Sequence, residues 1–221
     1  MVLDVGKGGL EMHRLIGLMI VFVVGIGLTA CGLSLSGDFQ AALVSMEHIN
    51  GVIGDLVEAT DVDLQPLSVG FGFGAAVSLL ELARIGTLSV GLEGLVARQV
   101  DRDASVEASS LGAFTRAELA RGRFRFAIDL LLARGSLDFA SARLAHLAGW
   151  SLGARACVGY TLPITKALLV GVRLGYRMSP FHEMVDRSGQ TYRGRGTPFM
   201  DFSGVSASIG VEWMASERSD E

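Results

Sequence analysis

The stretch ALLVGVRLGYRM, residues 167–178, alternates two unlike sets of side chains. Leu168, Val170, Val172, Leu174, Tyr176 and Met178 fall on one parity. Leu169, Gly171, Arg173, Gly175 and Arg177 fall on the other. Successive side chains of a strand point to opposite faces, so this pattern predicts an extended strand with two different faces. The fold turns on which face is inside. In a soluble protein the Leu/Val/Tyr face is core and the arginines meet water. In a membrane barrel the apolar face meets lipid and the arginines point into the lumen.

The same parity test applies along the chain. Residues 67–79 set Leu67, Val69, Phe71, Phe73, Val77 and Leu79 against Ser68, Gly70, Gly72, Gly74 and Ser78. Residues 123–132 set Phe124, Phe126, Ile128, Leu130 and Leu132 against Arg123, Arg125, Ala127 and Asp129. Similar sets recur at 150–160 and 205–213. A solvated outer face would be rich in Lys, Glu, Thr and Gln. The polar parity here is mostly Gly, Ser and Ala with a few charges of mixed sign, which suits a narrow lumen where side chains converge. The charges on it are Glu93, Arg116, Glu118, Arg123, Arg125, Asp129, Arg155, Arg173, Arg177 and Glu212, expected to pair with one another inside the barrel. For Arg173 and Arg177 the expected acceptors are Asp129, Glu118 or Asp201. Trp150, Tyr160, Tyr176 and Trp213 sit near strand ends, where aromatic girdles form.

Eight segments read as strands: 32–43, 67–82, 86–97, 111–119, 123–133, 149–162, 165–178 and 199–213. Their connections alternate in length. Short turns fall near Arg84-Ile85, Ala120-Arg121-Gly122 and Pro163-Ile164. Long connections cover 44–66, 98–110, 134–148 and 179–198. Short turns at one end and long loops at the other is the pattern of an outer-membrane barrel. In the first long loop, Met46, Ile49, Ile53 and Leu56 have the spacing of a short amphipathic helix over the barrel mouth. The last, HEMVDRSGQTYRGRGTP, reads as a polar, mobile loop.

On strand number, loop alternation and glycine–aromatic strands such as SVGFGFGAAVSLLEL, the chain resembles the eight-stranded outer-membrane barrel superfamily, whose familiar member is the transmembrane domain of outer-membrane protein A. The resemblance spans residues 32–213. It implies an all-β fold, an eight-stranded antiparallel up-and-down transmembrane β-barrel. It also implies outer-membrane lipid as surroundings and the barrel-insertion machinery as a partner during biogenesis, with a monomeric product. The chain departs from that pattern in two ways. No peptidoglycan-binding domain follows the barrel, and MASERSDE follows Trp213 where a terminal aromatic is usual.

Composition agrees with an envelope protein. Half of the 221 residues are apolar, charged residues make up 19%, and lysine occurs only at positions 7 and 166. A net charge of −4 leaves no basic footprint for nucleic acid. Leu15–Leu28 is an uncharged run too short to span a bilayer as a helix and fits the apolar core of an export signal. Initiation at Met12 would give the signal the start MHRLIGLM. The run ends in Leu28-Thr29-Ala30-Cys31, which resembles a lipobox with Cys31 as the lipidated residue; ordinary cleavage after Gly32 is the other reading. Residues 1–31 thus read as the signal peptide, 32–215 as the barrel and 216–221 as a C-terminal tail.

No cofactor or metal site is expected, since Cys31 and Cys157 have no ligand spacing. The glycines of GFGFG do not open a helix and form no nucleotide loop. Some barrels of this size remodel lipid A with a His and a Ser, but none of His13, His48, His146 and His182 lies two residues from a serine. The function expected is therefore a non-enzymatic outer-membrane protein with an envelope-structural, surface-contact or minor solute-permeation role. The alternatives are a periplasmic lipoprotein with a lipocalin-like barrel around an apolar ligand, and a lipid-A-modifying enzyme.

Overall fold

The computed structural model describes residues 34–59, 65–82, 86–100, 105–139, 146–194 and 196–214. Residues 1–33, which include the expected signal and Cys31, residues 83–85 with the expected short turn, and the expected C-terminal tail lie outside these residues. Eight long strands are described: β1 (Ser34–Leu43), β2 (Val69–Leu82), β3 (Gly86–Val100), β4 (Ser105–Arg121), β5 (Phe124–Phe139), β6 (Leu147–Pro163), β7 (Leu168–Met178) and, after four short strands, β12 (Gly204–Met214). Each pairs antiparallel with its neighbour in the chain. The pairing of β1 with β12, from Ser34–Met214 to Ala42–Ser206, closes the ring. Closure leaves no free sheet edge around the lower part of the ring, the condition for strands to cross lipid.

Two short connections explain themselves locally. Arg121 pairs with Phe124, so Gly122 and Arg123 form a two-residue hairpin turn. Gly122 adopts φ +63°, the left-handed conformation such turns require. Between β6 and β7, the Thr165 hydroxyl accepts from the Ala167 and Leu168 amides at 3.2 and 3.1 Å. The end of the barrel with these turns is called lower here, and the end with the long connections upper.

Four strands are longer than the sequence pattern predicts, while the expected strands 165–178 and 199–213 shorten to 168–178 and 204–214. The expected strands 86–97, 111–119, 123–133 and 149–162 extend to 86–100, 105–121, 124–139 and 147–163. The expected long loops at 98–110 and 134–148 shrink accordingly. The reason is a change of polarity along each strand. On the inside of β3, Ser89, Gly91 and Glu93 give way to Leu95 and Ala97, while outside, Val90, Leu92 and Val96 give way to Arg98. The period of two continues, but its apolar parity changes face.

The upper half of the interior is therefore an apolar core. Helix α1 (Glu47–Ala59) forms over the mouth as its spacing predicts, burying Met46 just before it and Ile49 and Ile53 within it. Asn50 fastens it, donating from Nδ2 to the Leu67 carbonyl at 2.9 Å and accepting from the Leu67 amide at 2.7 Å. The segment expected to be a polar, mobile loop is folded instead. This segment, 182–198, holds β9 (Glu183–Asp186) and β10 (Thr191–Arg193), and is flanked by β8 (Pro180–Phe181) and β11 (Met200–Asp201). β9 pairs with β10 and β8 with β11. Phe181, Met184, Phe199, Met200 and Phe202 point inward onto Leu95, Val106, Leu137 and Leu147. The polar residues between them had masked this apolar set.

Candidate functional site

Below the apolar core the lumen is filled by charge. Every group there comes from an inward position, so strand parity places it and register sets its height. Arg116 on β4, Asp129 on β5 and Arg155 on β6 occupy directly opposed register positions. Asp129 is fully buried and accepts from both neighbours. Arg116 Nε and Nη2 donate at 2.8 and 3.1 Å, and Arg155 Nε at 2.7 Å. Both guanidiniums also sit over the Phe114 ring, 4.9 and 5.7 Å from its centroid. The ring has room because the facing inward residue on β3 is Gly91, where a Cβ would come within 2.8 Å of Phe114 Cε1.

Arg155 and Arg177 also stand directly opposite one another on β6 and β7. Like charges in that relation repel. Glu93, reaching across from β3, resolves the conflict: one carboxylate oxygen pairs with Arg155 Nη1 at 2.9 Å and the other with Arg177 Nη1. Gln40 Oε1 accepts from Arg155 Nη1 at 3.0 Å. A second, looser tier lies below. Glu118 meets Arg125 and Arg173, each at 3.4 Å, and Asp38 meets Arg173 at 3.6 Å. Gly74 leaves space for Asp38, since a Cβ there would lie 2.6 Å from its Oδ1.

Of the ten lumen charges named from sequence, eight thus join one of these two tiers. Arg173 finds Glu118, one of its expected acceptors; Arg177 finds Glu93, which was not among them. The other two lie elsewhere. Arg123 is exposed in the turn and its guanidinium donates to Tyr160 Oη at 3.3 Å. Glu212 faces inward near the lower end, with no ion pair among the described residues. Asp38 and Gln40 join the tiers unannounced. They carry the same alternation signal in the first segment, but Gly37 interrupts its apolar parity and weakens it.

The outside shows the opposite chemistry. Phe71, Phe73, Phe126, Ile128, Leu130, Val172, Leu174, Ile209 and Val211 are all exposed. On β5 the exposed apolar run from Phe124 to Leu132 covers about 26 Å along the strand, at ~3.3 Å per residue. A closed ring with this belt outside and paired charges inside cannot be a soluble barrel. The fold is that of an eight-stranded outer-membrane barrel.

No protein-family profile matches the sequence. No curated protein matches it either. Among solved structures the chain is similar to Neisserial surface protein A, at 16% identity over 82% of this chain and 96% of that one, with a TM-score of 0.41. It is also similar to the outer membrane protease OmpT from Escherichia coli, at 8% identity over 84% and 97% of the two chains, TM-score 0.38. A third is the translocator domain of the autotransporter NalP from Neisseria meningitidis, at 9% identity over 92% and 95%, TM-score 0.35. The strand pairing and the two faces described above carry the assignment of fold.

Proposed function

We propose that the chain is a non-enzymatic integral outer-membrane protein of a bacterial envelope, a closed barrel with a structural and surface-contact role. The observation that supports this reading is the filling of the lumen. An apolar core under α1 and β8–β11 stacks on the buried ion-pair tiers, so the interior acts as a packed core and favours a structural role over solute permeation. The lipocalin-like alternative requires the Leu/Val/Phe parity of the lower half to face inward, and it faces out.

The histidines support a non-enzymatic reading. The ring of His48 packs against Phe199 at 4.9 Å, His146 Nδ1 is bonded to Asp138 Oδ1 at 2.6 Å, and His182 is exposed. None of the three is hydrogen-bonded to a serine among the described residues, as an activated hydroxyl would need. The proposal includes export by residues 1–31, insertion by the barrel-assembly machinery and a monomeric product.

The test uses adjacent positions of β12 in a Cys31→Ser, Cys157→Ser background. Single cysteines at Val205, Ala207 and Ile209 should react with a lipid-soluble maleimide in reconstituted vesicles, and those at Ser206 and Ser208 should not. The reverse pattern overturns the membrane reading. In planar bilayers the wild type should show no stepwise conductance; steady channels would return permeation to the proposal.

A further inference from the structure

Pairing between β6 and β7 stops at Ala154–Met178. It resumes on β6 only at Leu147–Asp186 and Ala148–Val185, with β9 as the partner. Between these points the chain dives inward: Ser179 and Phe181 are fully buried, and Ser151 Oγ donates to the Pro180 carbonyl at 2.6 Å. The departure leaves a groove of about 1090 Å³ on the outer surface of the barrel. Its floor is the upper margin of the apolar belt. Leu132 stands opposite Leu152 and, one rung higher, Arg134 stands opposite Trp150. Two residues along a strand are about 6.6 Å, so lipid-facing and charged chemistry meet within that distance. Arg187, just past β9, lines the same groove from above.

The acids of the groove are already engaged. Glu183 pairs with Arg193 at 2.6 Å. Asp186 Oδ1 accepts from the Ser188 amide and hydroxyl and the Gln190 amide, at 2.6–2.9 Å. His146 is held by Asp138. Arg134 and Arg187 are both exposed and have no ion pair among the described residues. Two uncommitted guanidiniums above an apolar floor match an anionic group carried on an acyl chain. A guanidinium fork fits phosphate geometry, and an indole at the belt margin suits the boundary between chain and headgroup. The floor is continuous with the lipid-facing surface, so the occupant is a lipid of the surrounding leaflet.

We propose that this groove binds the phosphate-bearing headgroup of a membrane lipid, with Arg134 and Arg187 taking the phosphate and Leu132, Trp150 and Leu152 lying along an acyl chain. The proposal rests on the membrane reading above and adds a ligand class to it.

The two tryptophans separate the two claims. The full barrel is refolded in neutral maltoside micelles. In a Trp213→Phe variant the remaining Trp150 reports the groove, and didecanoyl phosphatidic acid should shift its emission saturably. Phosphatidylcholine of the same chains should not, and Arg134→Gln with Arg187→Gln should weaken the apparent affinity about tenfold. Arg98→Gln, remote from the groove and paired with Glu107, should leave it unchanged. Three results each overturn the site: an equal response to phosphatidylcholine, unchanged affinity in the double variant, or the same shift with inorganic phosphate alone. In a Trp150→Phe variant, Trp213 quenched by brominated acyl chains reports embedding of the barrel. A quenched Trp213 with a silent Trp150 therefore refutes the groove while sparing the membrane reading.

Discussion

On β5, the lower inward positions are Arg125, Ala127 and Asp129, and the lower outward ones are Phe124, Phe126 and Ile128. Farther up the same strand the inward positions are Ala133, Leu137 and Phe139, and the outward ones include Arg134, Ser136 and Asp138. β3 and β4 change in the same way. Outside their upper ends Arg98 and Glu107 form a cross-strand ion pair at 3.5 Å. The lower half is inside-out because its solvent is hydrocarbon; the upper half is built like a water-soluble protein because its solvent is water. One continuous hydrogen-bonded ladder serves both, since the backbone satisfies itself whatever the side chains face. The height at which the faces exchange, between Leu132 and Arg134 on β5 and between Val96 and Arg98 on β3, marks the upper edge of the membrane.

The largest effect that can test this contrast lies in the lower interior. Glu93→Leu leaves Arg155 and Arg177 facing each other without their shared acceptor. It should destabilise the refolded barrel by about 3–5 kcal/mol in urea unfolding. A neutral result would mean that the lower tiers are solvated and not packed. In the upper interior, Leu137→Ala should cost about 2–4 kcal/mol, as in a soluble core. If it costs little, the apolar plug is not a true core and the two halves differ less than their composition implies.

The outer faces give a second comparison of about 2–4 kcal/mol or less. Ile128→Lys, in the middle of the belt, should cost about that much in lipid vesicles, whereas Ser109→Lys outside the upper half should stay within about 0.5 kcal/mol. Equal costs would erase the proposed membrane edge. Val172→Leu, facing lipid, should cost less than about 1 kcal/mol, because lipid adapts to shape.

The smallest effect concerns the β9–β10 turn above the membrane. Hydrogen bonds from Ser188 hold the Asp186 carboxyl below its ordinary range, helped by the Gln190 amide. A depressed carboxyl contributes order that is complete above its unfolded value and lost as pH falls through its folded one. Protection of the Ser188 and Gln190 amides from hydrogen exchange, corrected for the intrinsic pH dependence of the exchange rate, should therefore be constant at neutral pH and fall only below about pH 4. Loss of protection already at pH 6 would point to a different group.

Much of this molecule is legible in one dimension. The period of two in ALLVGVRLGYRM identifies strands, the Gly/Ser/Ala composition of the polar parity identifies a narrow lumen, and the alternation of connection lengths identifies an up-and-down ring. These follow from local geometry, because side-chain direction on a strand depends only on counting. Parity also names most of the lumen charges. It cannot pair them: Glu93 reaches Arg177 because closure of the ring brings β3 across from β7, and separation along the chain carries no trace of that distance. Nor can it follow the strands through the membrane edge, where the faces exchange, or see that Phe181, Met184, Phe199 and Met200 fold inward from among polar neighbours. Those features depend on which solvent each height of the barrel meets and on which strand ends surround the mouth. Only the assembled tertiary structure sets these.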